Sequence, residues 1–310
     1  MCSVITGVIR RWQADGHQLL RTTYRRLGRR TGRYMIAAGV VSAGADLETY
    51  GRVSEQIMDI NGLGGHTRLD TGQLEHALRV PNCARYTEAY RFLQAPDFLC
   101  TIPFEWDNGC LDSINPELQI WPGPCVYRGD ADCVYRISQR QTFAEHPHAA
   151  AAPPLATTIA NAPDWTNPQI GLYAIASAVC NTYGDDGRQV VEDSLYALGL
   201  RSGQFLIDEG VIPSGCTPAQ WGEVAAQLAN VTGFYDHESV AVSEDCFELR
   251  LTRYPYIEPF SVFAAPNDII EIGAAWDRGC LQANNSRLRL TVPHCIWRGD
   301  DVGILRIEVS

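Results

Sequence analysis

Cys83 is the residue of this sequence whose setting best suits a nucleophile. It follows Val80-Pro81-Asn82, and because proline cannot donate to a β-ladder, the chain should leave the preceding strand and turn there. The turn predicts that the thiol points out of a rigid corner rather than into a core. A thiol attacks an acyl carbon as the thiolate, which requires a neighbouring imidazole that is itself oriented by a carboxylate. The alternative interpretation of Cys83 is a buried apolar filler.

Two aspartates are candidates for the orienting carboxylate. Asp107 stands in the motif Trp-Asp-x-Gly-Cys-Leu, which returns around Asp277. This duplication is also typical of a carboxylate that caps a helix or turn. Asp112 has Gln282 at the corresponding position, so it occurs in one half of the chain only. The sequence favours Asp107 and keeps Asp112 as the alternative.

Three histidines are candidates for the imidazole. His66 and His237 are duplicates of each other, and His294 corresponds to Pro124. If residues 64–69 and 74–82 form a hairpin, His66 should face the strand near Ala77, about six residues or on the order of 20 Å from Cys83. We therefore favour His237, with His66 and His294 in reserve. A structural hydrogen bond kept in both halves is the other interpretation of His66 and His237.

These residues belong to a tandem duplication. Residues 8–83 recur without a gap 171 positions later, and from Trp106 onward the register continues at an offset of 170. Positions that both halves keep indicate what the fold or a shared site needs. Positions that differ indicate where function has specialised, and the sharpest difference is Cys83 against Tyr254.

Each half reads as helices followed by a short antiparallel sheet. Helical spacing predicts helices at 48–60 and 218–231, the second beginning after Thr217 with proline at its first position. Alternation predicts strands at 74–80 and 247–251, followed by a hairpin in each half. The predicted fold class is α+β, with two repeats that form a pseudo-dimer. The predicted domains are 1–140, an Ala/Pro-rich linker at 141–165, and 166–310.

The composition excludes several kinds of site. All 25 basic residues are arginine, which excludes Schiff-base chemistry and a P-loop lysine. The 11 cysteines are scattered and contain no CxxC pair, which argues against a disulfide framework and a structural zinc site. No dinucleotide fingerprint is present, so we expect neither a cofactor nor a metal. The sequence shows no apolar run approaching the roughly 20 residues of a bilayer span and no signal peptide, so we expect a cytoplasmic protein without a membrane partner.

The net charge of −11 is distributed unevenly. Residues 1–33 contain eight arginines and one acidic residue, Asp15, which gives +7 and leaves −18 on the remainder. Such a surface could dock an acidic partner such as a carrier protein. Nucleic acid is disfavoured because the rest of the chain would repel it. A solvated helix face is the alternative interpretation.

The order of these motifs resembles a known family. The chain resembles bacterial L-2-amino-thiazoline-4-carboxylic acid hydrolase-like proteins in four successive features. These are a histidine, a strand that ends in cysteine, an aspartate shortly before Asn115-Pro116, and Arg-Gly-Asp-x-x-Cys from Arg128. The two-copy length is similar to that of the Dieckmann cyclases of that group, which release tetramate-type polyketide–peptide hybrids from assembly lines. The resemblance implies a Cys, His and Asp that act together, with Cys83 and Asp107 at two of these places. The chain departs from the pattern in having Cys83-Ala84 where the family usually has Cys-Pro.

We therefore expect a chain-releasing cyclase that acts on a carrier-bound β-ketoacyl-aminoacyl thioester. Cys83, Asp107 and His237 would be its catalytic residues, and an acyl or peptidyl carrier protein its partner. One alternative is a hydrolase that uses the same cysteine chemistry with water as the second nucleophile. The other is a non-catalytic module that binds a small molecule.

Overall fold

The computed structural model describes residues 1–60, 65–71, 74–81, 90–91, 95, 99, 101–140, 168–232, 236–254 and 256–310. Cys83 and the linker predicted at 141–165 lie outside the described residues. Each half of the chain contains helices and one four-stranded antiparallel sheet, so the predicted α+β class is confirmed. In the described parts of the chain, no helix is both long enough and apolar enough to cross a membrane.

The first half contains three helices and four strands within its described residues. They are α1 (Cys2–Ala37), α2 (Leu47–Ile60), β1 (Thr67–Leu69), β2 (Glu75–Arg79), α3 (Phe104–Ile114), β3 (Leu118–Pro122) and β4 (Val134–Gln139). The side chain of Asp46 caps α2 by accepting a hydrogen bond from the Thr49 amide at 2.8 Å.

The second half has the same succession, with two further short helices. Its elements are α4 (Pro168–Asp208), α5 (Pro218–Thr232), β5 (His237–Ser243), β6 (Cys246–Leu251), α6 (Ile257–Val262), α7 (Ile269–Gly273), α8 (Ala275–Asn284), β7 (Leu288–His294) and β8 (Gly303–Val309). Thr217 and Gln220 form a reciprocal capping box at the start of α5, with bonds of 2.9 and 3.3 Å.

The two sheets have the same strand order. One runs β1-β2-β4-β3, the other β5-β6-β8-β7, and every pairing is antiparallel. In β2 the consecutive residues His76, Ala77 and Leu78 are all buried, so this strand is covered on both faces at its centre. The predicted strands at 74–80 and 247–251 are confirmed to within two residues at each end.

The long helices α1 and α4 are each bent at one residue. Gln13 has φ +47° in α1, and Gly184 has φ +58° in α4, 171 positions later. Glycine adopts this left-handed conformation without steric cost, whereas glutamine does not. The two halves therefore place the same bend at the same point.

Duplicated glycines bring a long helix against a short one in each half. A Cβ on Gly28 of α1 would overlap the carbonyl of Trp106 in α3, and a Cβ on Gly199 of α4 would overlap that of Trp276 in α8. Gly109 and Gly279 face the opposite backbone in the same way. These close crossings hold the backbone on either side of Asp107 and Asp277.

The chain forms two compact units. One consists of residues 1–20 with 167–310, and the other of residues 21–166. The predicted first domain, 1–140, differs from the observed unit because its first twenty residues group with the second half. In that unit the Trp12 ring stacks on Tyr183 with centroids 3.8 Å apart, and Arg11 pairs with Asp186 at 3.1 Å.

The core of the unit 21–166 lies between its helices and one face of its sheet. Large apolar side chains from α1, α2, α3 and strands β2, β3 and β4 meet there, among them Met35, Ile57, Leu78, Leu111, Ile120 and Ile137. Tyr50 and Tyr135 belong to the same cluster. They bring polar hydroxyl groups into an otherwise apolar interior, close to Asp107.

Candidate active site

Asp107 lies in the first turn of α3 in the unit 21–166. The hydroxyl of Tyr135 donates a hydrogen bond to Asp107 Oδ1 at 3.1 Å. Tyr135 is on β4, where it pairs with Leu78 of β2, the strand that leads towards Cys83. Asp107 is thus hydrogen-bonded to β4, which pairs with β2, and Cys83 follows β2 in sequence.

The environment of Asp107 changes its acidity. Burial raises the pKa of this carboxyl from 3.8 to about 7, and the hydrogen bond from Tyr135 acts in the opposite direction. Asp107 nevertheless keeps part of its surface accessible. A carboxyl that changes charge near neutral pH can orient an imidazole or exchange a proton with it.

The corresponding aspartate of the other unit has a similar environment but a different partner. Burial also raises the pKa of Asp277 to about 7. The residue that corresponds to Tyr135 is Leu305, which pairs with Leu249 in the equivalent register. The buried carboxyl is therefore common to both units, whereas the hydroxyl that binds it is present in one.

Tyr254 occupies the position that corresponds to Cys83. Its side chain is only 5% exposed, and a Cβ on Gly303 would lie 2.7 Å from its ring atom Cε2. Burial raises the pKa of its hydroxyl well above the ordinary value. The unit 1–20 with 167–310 thus has a packed aromatic ring where the other half has a thiol.

The described cysteines do not have the properties of nucleophiles. Burial raises the pKa of seven of the nine, including Cys110 and, to about 11, Cys180 and Cys216. Cys110 is completely buried, next to the crossing of α1 and α3. A protonated, buried thiol is inert, so these residues act as small apolar fillers.

Asp112 lies in an ionic network rather than beside a histidine. Its carboxylate accepts hydrogen bonds from Arg25 at 2.8 Å, Arg29 at 3.0 Å and Arg140 at 3.0 Å. Burial alone would raise its pKa, but these arginines lower it. Both carboxylate oxygens are occupied by guanidinium groups, which is the geometry of a structural ion cluster.

The same network uses much of the arginine-rich segment. Arg21 and Arg25 also bind Glu105, and Arg11 pairs with Asp186. Arg30 is 4% exposed and lies over the ring of Tyr34. Many of the charges that the sequence placed on an outer face are therefore compensated within the chain.

The register of β1 corrects the predicted position of His66. Thr67 pairs with Arg79 and Leu69 with Ala77, so His66 stands level with Val80 and not with Ala77. The pairing of Leu69 with Ala77 leaves seven residues between them, more than a tight hairpin turn contains, and the Thr71 hydroxyl donates a hydrogen bond to the carbonyl of Glu75 there at 2.8 Å. The predicted position of His66, level with Ala77, was therefore wrong.

The side chain of His66 is 14% exposed, and its Nδ1 lies 3.5 Å from Asp59 Oδ1. His237 has the equivalent position in the other unit, where it pairs with Leu251. His294 is 54% exposed at the end of β7, and its Nδ1 lies 3.8 Å from Asp300 Oδ2. Of the three histidines, His66 is the one that shares a unit with Asp107.

The Arg-Gly-Asp motif has a structural role in both halves. Asp130 accepts a hydrogen bond from the Cys125 amide at 2.7 Å, and Asp300 accepts one from the Cys295 amide at 2.6 Å. The glycine between has φ +97° at Gly129 and φ +100° at Gly299. The motif therefore closes a tight turn before the last strand of each sheet.

Tyr50 and Tyr135 are the site residues that sequence reasoning missed. Their counterparts are Trp221 and Leu305, so they differ between the halves just as Cys83 does. That difference was available in the sequence and could have identified them. Among the described residues, no group of three or more histidine, cysteine, aspartate or glutamate side chains could hold a metal ion. Comparison of the chain with protein-family models and with curated proteins found no match.

Proposed function

We propose that the protein is a cysteine-dependent cyclase that releases a carrier-bound β-ketoacyl-aminoacyl thioester as a tetramate-type ring. The observation that carries the proposal is the buried carboxyl of Asp107, with a pKa near 7, in the half of the chain that contains Cys83. The replacement of Cys83 by the packed Tyr254 in the other half supports a single nucleophile. The resemblance to the two-copy Dieckmann cyclases supplies the reaction.

In the first step Cys83 Sγ, as the thiolate, attacks the thioester carbonyl carbon. The carbon–sulfur bond to the carrier breaks, the carrier thiol leaves with a proton from the imidazolium, and the acyl chain is held on Cys83. In the second step the imidazole removes a proton from the carbon between the two carbonyl groups of the substrate. That carbon attacks the acyl-enzyme carbonyl, the ring closes, and Cys83 leaves as the thiolate.

Asp107 serves in this scheme as the residue that orients the imidazole. The ionised carboxylate stabilises the imidazolium that forms in each proton transfer. Because its pKa lies near 7, activity should rise as the pH increases through neutrality. The imidazole comes from His66 or His237, which hold equivalent places in their sheets.

The two histidines predict different outcomes, and each is the matched control for the other. His66→Asn and His237→Asn make the same change at positions 171 apart. The variant that lacks the base should lose acylation of Cys83 by about two to four orders of magnitude. The other variant should keep it.

We also propose that the two halves of the sequence are repeats that form a pseudo-dimer. Trp12 stacks on Tyr183, its own counterpart 171 positions later. Residues that contact their own equivalents are characteristic of an isologous interface between two copies. The bends at Gln13 and Gly184 and the shared strand order agree with this origin.

The proposed partner is an acidic acyl or peptidyl carrier protein. The arginines of the N-terminal segment with exposed side chains include Arg10 and Arg26. Because the side chains of Arg10 and Arg26 are exposed, charge reversal at these two positions tests docking. Such variants should slow acylation from a carrier-bound substrate and leave a small thioester unaffected.

The proposal is tested by mixing the protein with an N-acyl-aminoacyl β-keto thioester and measuring intact mass and products. An adduct on Cys83 and a cyclic product, both lost in Cys83→Ala, are expected. Cys246→Ala, which changes a partly exposed cysteine of the other unit, is the control and should react normally. An open-chain acid as the product would instead indicate the hydrolase, and identical mass spectra without turnover in all three proteins would contradict catalysis.

A further inference from the structure

Tyr135 is held in a fixed position beside Asp107. It lies on β4, which pairs with β2 on one side and β3 on the other. Its side chain is 7% exposed, and its ring packs against Phe104 with centroids 5.7 Å apart. A phenol on an internal strand has little freedom, so its hydroxyl defines where Asp107 Oδ1 must lie.

The hydroxyl is specific to the half that contains Cys83. Leu305 has the equivalent position in the strand register of the other half, and no side chain among the described residues donates a hydrogen bond to Asp277 in the structure. The fold can therefore bury this aspartate without a tyrosine. The presence of Tyr135 needs a reason other than the burial of a carboxyl.

We infer that Tyr135 is a positioning residue for Asp107, which fixes Oδ1 and leaves Oδ2 to receive the imidazole N–H. This inference rests on the proposed function, because it assigns Asp107 the role of orienting the histidine. The hydrogen bond also favours the ionised carboxylate, which is the form that can accept from an imidazole.

Within the part of the chain that the structure describes, two titratable groups besides Tyr135 affect or feel the charge of Asp107. Tyr50 from α2 and Cys110 from α3 lie close enough to interact with its charge, and burial raises the pKa of both well above their ordinary values. They stay neutral across the working pH range. Tyr135 is therefore the group whose removal should change the titration of Asp107.

The test is Tyr135→Phe, which removes the hydroxyl and keeps the ring. The carboxyl of Asp107 is followed by ¹³C NMR of aspartate-labelled protein, with its resonance assigned by Asp107→Asn. Loss of the hydrogen bond should raise the pKa of Asp107 by about one unit. The acid limb of the kcat/KM profile for the small thioester should move to higher pH by the same amount.

Tyr254→Phe removes a buried hydroxyl from the other unit and should move neither quantity. Tyr135→Leu introduces the side chain found at Leu305, and it should reproduce the Tyr135→Phe shift if the hydroxyl is what matters. Leu305→Tyr should lower the pKa of Asp277, since it supplies the missing donor.

An unchanged titration of Asp107 in both Tyr135 variants would overturn the inference. A shifted titration with an unshifted pH profile would also overturn it, because Asp107 would then not limit the reaction. If the titration shifts while wild type and variants all fail to form a Cys83 adduct, the proposed function fails. The link between Tyr135 and Asp107 would survive as a structural one, without the assigned role.

Discussion

Replacing His76 by phenylalanine together with Glu55 by alanine should stabilise the protein, and the gain should grow as the pH falls. His76 is 1% exposed, lies directly beneath Gly51, and has its Nε2 3.1 Å from Glu55 Oε1. In the second half the equivalent slot beneath Gly222 holds Phe247. The double variant therefore transfers a side-chain combination that this fold already accommodates.

The magnitude follows from two contributions. The first is the removal of a buried polar group: both ring nitrogens of His76 are buried without a hydrogen bond to any described residue, and such a group costs about 1–3 kcal/mol. Because Nε2 lies 3.1 Å from Oε1 of Glu55, whose side chain is 29% exposed, the gain should lie near the lower end, at about 1 kcal/mol at neutral pH. The second contribution comes from proton binding by His76.

Burial lowers the pKa of His76 from its ordinary value of 6.5; Arg68 acts in the same direction, and Glu55 and Glu48 oppose it. Below pH 6.5 the unfolded chain therefore binds a proton at this site before the folded chain does. Wild type loses stability as the pH falls through this window, by at most about 1.4 kcal/mol per pH unit from one group. The double variant lacks this loss.

The assay is urea unfolding of both proteins at about pH 7.5 and about pH 5, with the difference between them compared at the two values. Other carboxylates titrate in both proteins and cancel in that comparison. Phe247→His is the reciprocal change, because it places an imidazole beneath Gly222. The residue that corresponds to Glu55 there is Ala226, so the imidazole has no carboxylate from that position. This variant should destabilise the folded protein, most strongly at acid pH. Equal losses of stability in wild type and the double variant would refute the reasoning.

Two further predictions concern the repeated framework. Gly28→Ala should destabilise the protein by about 3 kcal/mol or more, because the new Cβ would overlap the backbone of Trp106. Gly129→Ala should cost about 1 kcal/mol, because the site has open space but φ is +97°. Thermal unfolding that ranks the two variants the other way would contradict this. Asp277→Asn should stabilise by about 2–4 kcal/mol at about pH 8, because the folded pKa near 7 lies above the ordinary 3.8 and the ionised form is the costly one. The Asp277→Asn gain should fade as the pH falls towards 4, and a gain independent of pH in urea titrations would exclude this cause.

The α+β class and the strand positions could be predicted because they depend on local patterns. The alternation of apolar and polar residues around Glu75–Arg79 and Cys246–Leu251 involves only neighbouring positions, so it predicts strands without knowledge of the tertiary arrangement. The offset between the halves also shows that Gly28 recurs as Gly199. The physical reason, the overlap of a Cβ at Gly28 with the carbonyl of Trp106, involves residues far apart in sequence and could not be predicted from it.

The errors came from long-range relations. His66 was placed three residues out of register because the connection between β1 and β2 is wider than a tight turn. The internal pairing of Arg21 and Arg25 could not be predicted because their partners, Glu105 and Asp112, lie about 80 residues away in sequence. A count of charges along the sequence does not show which of them pair in the folded protein. The difference between Tyr135 and its counterpart Leu305, by contrast, is visible in the sequence.

The grouping of residues 1–20 with residues 167–310 has a consequence for biosynthesis. Residues 1–20 are synthesised before the intervening 146 residues, so their packing partners do not yet exist when they leave the ribosome. At synthesis rates of about 5–20 residues per second, that delay is roughly 7–30 seconds. During this interval Val4, Ile5 and Val8, which are buried in the finished protein, have no native partners in the later half to cover them. Residues 1–20 are therefore exposed to aggregation during this interval, and a chaperone that binds them should raise the yield of folded protein.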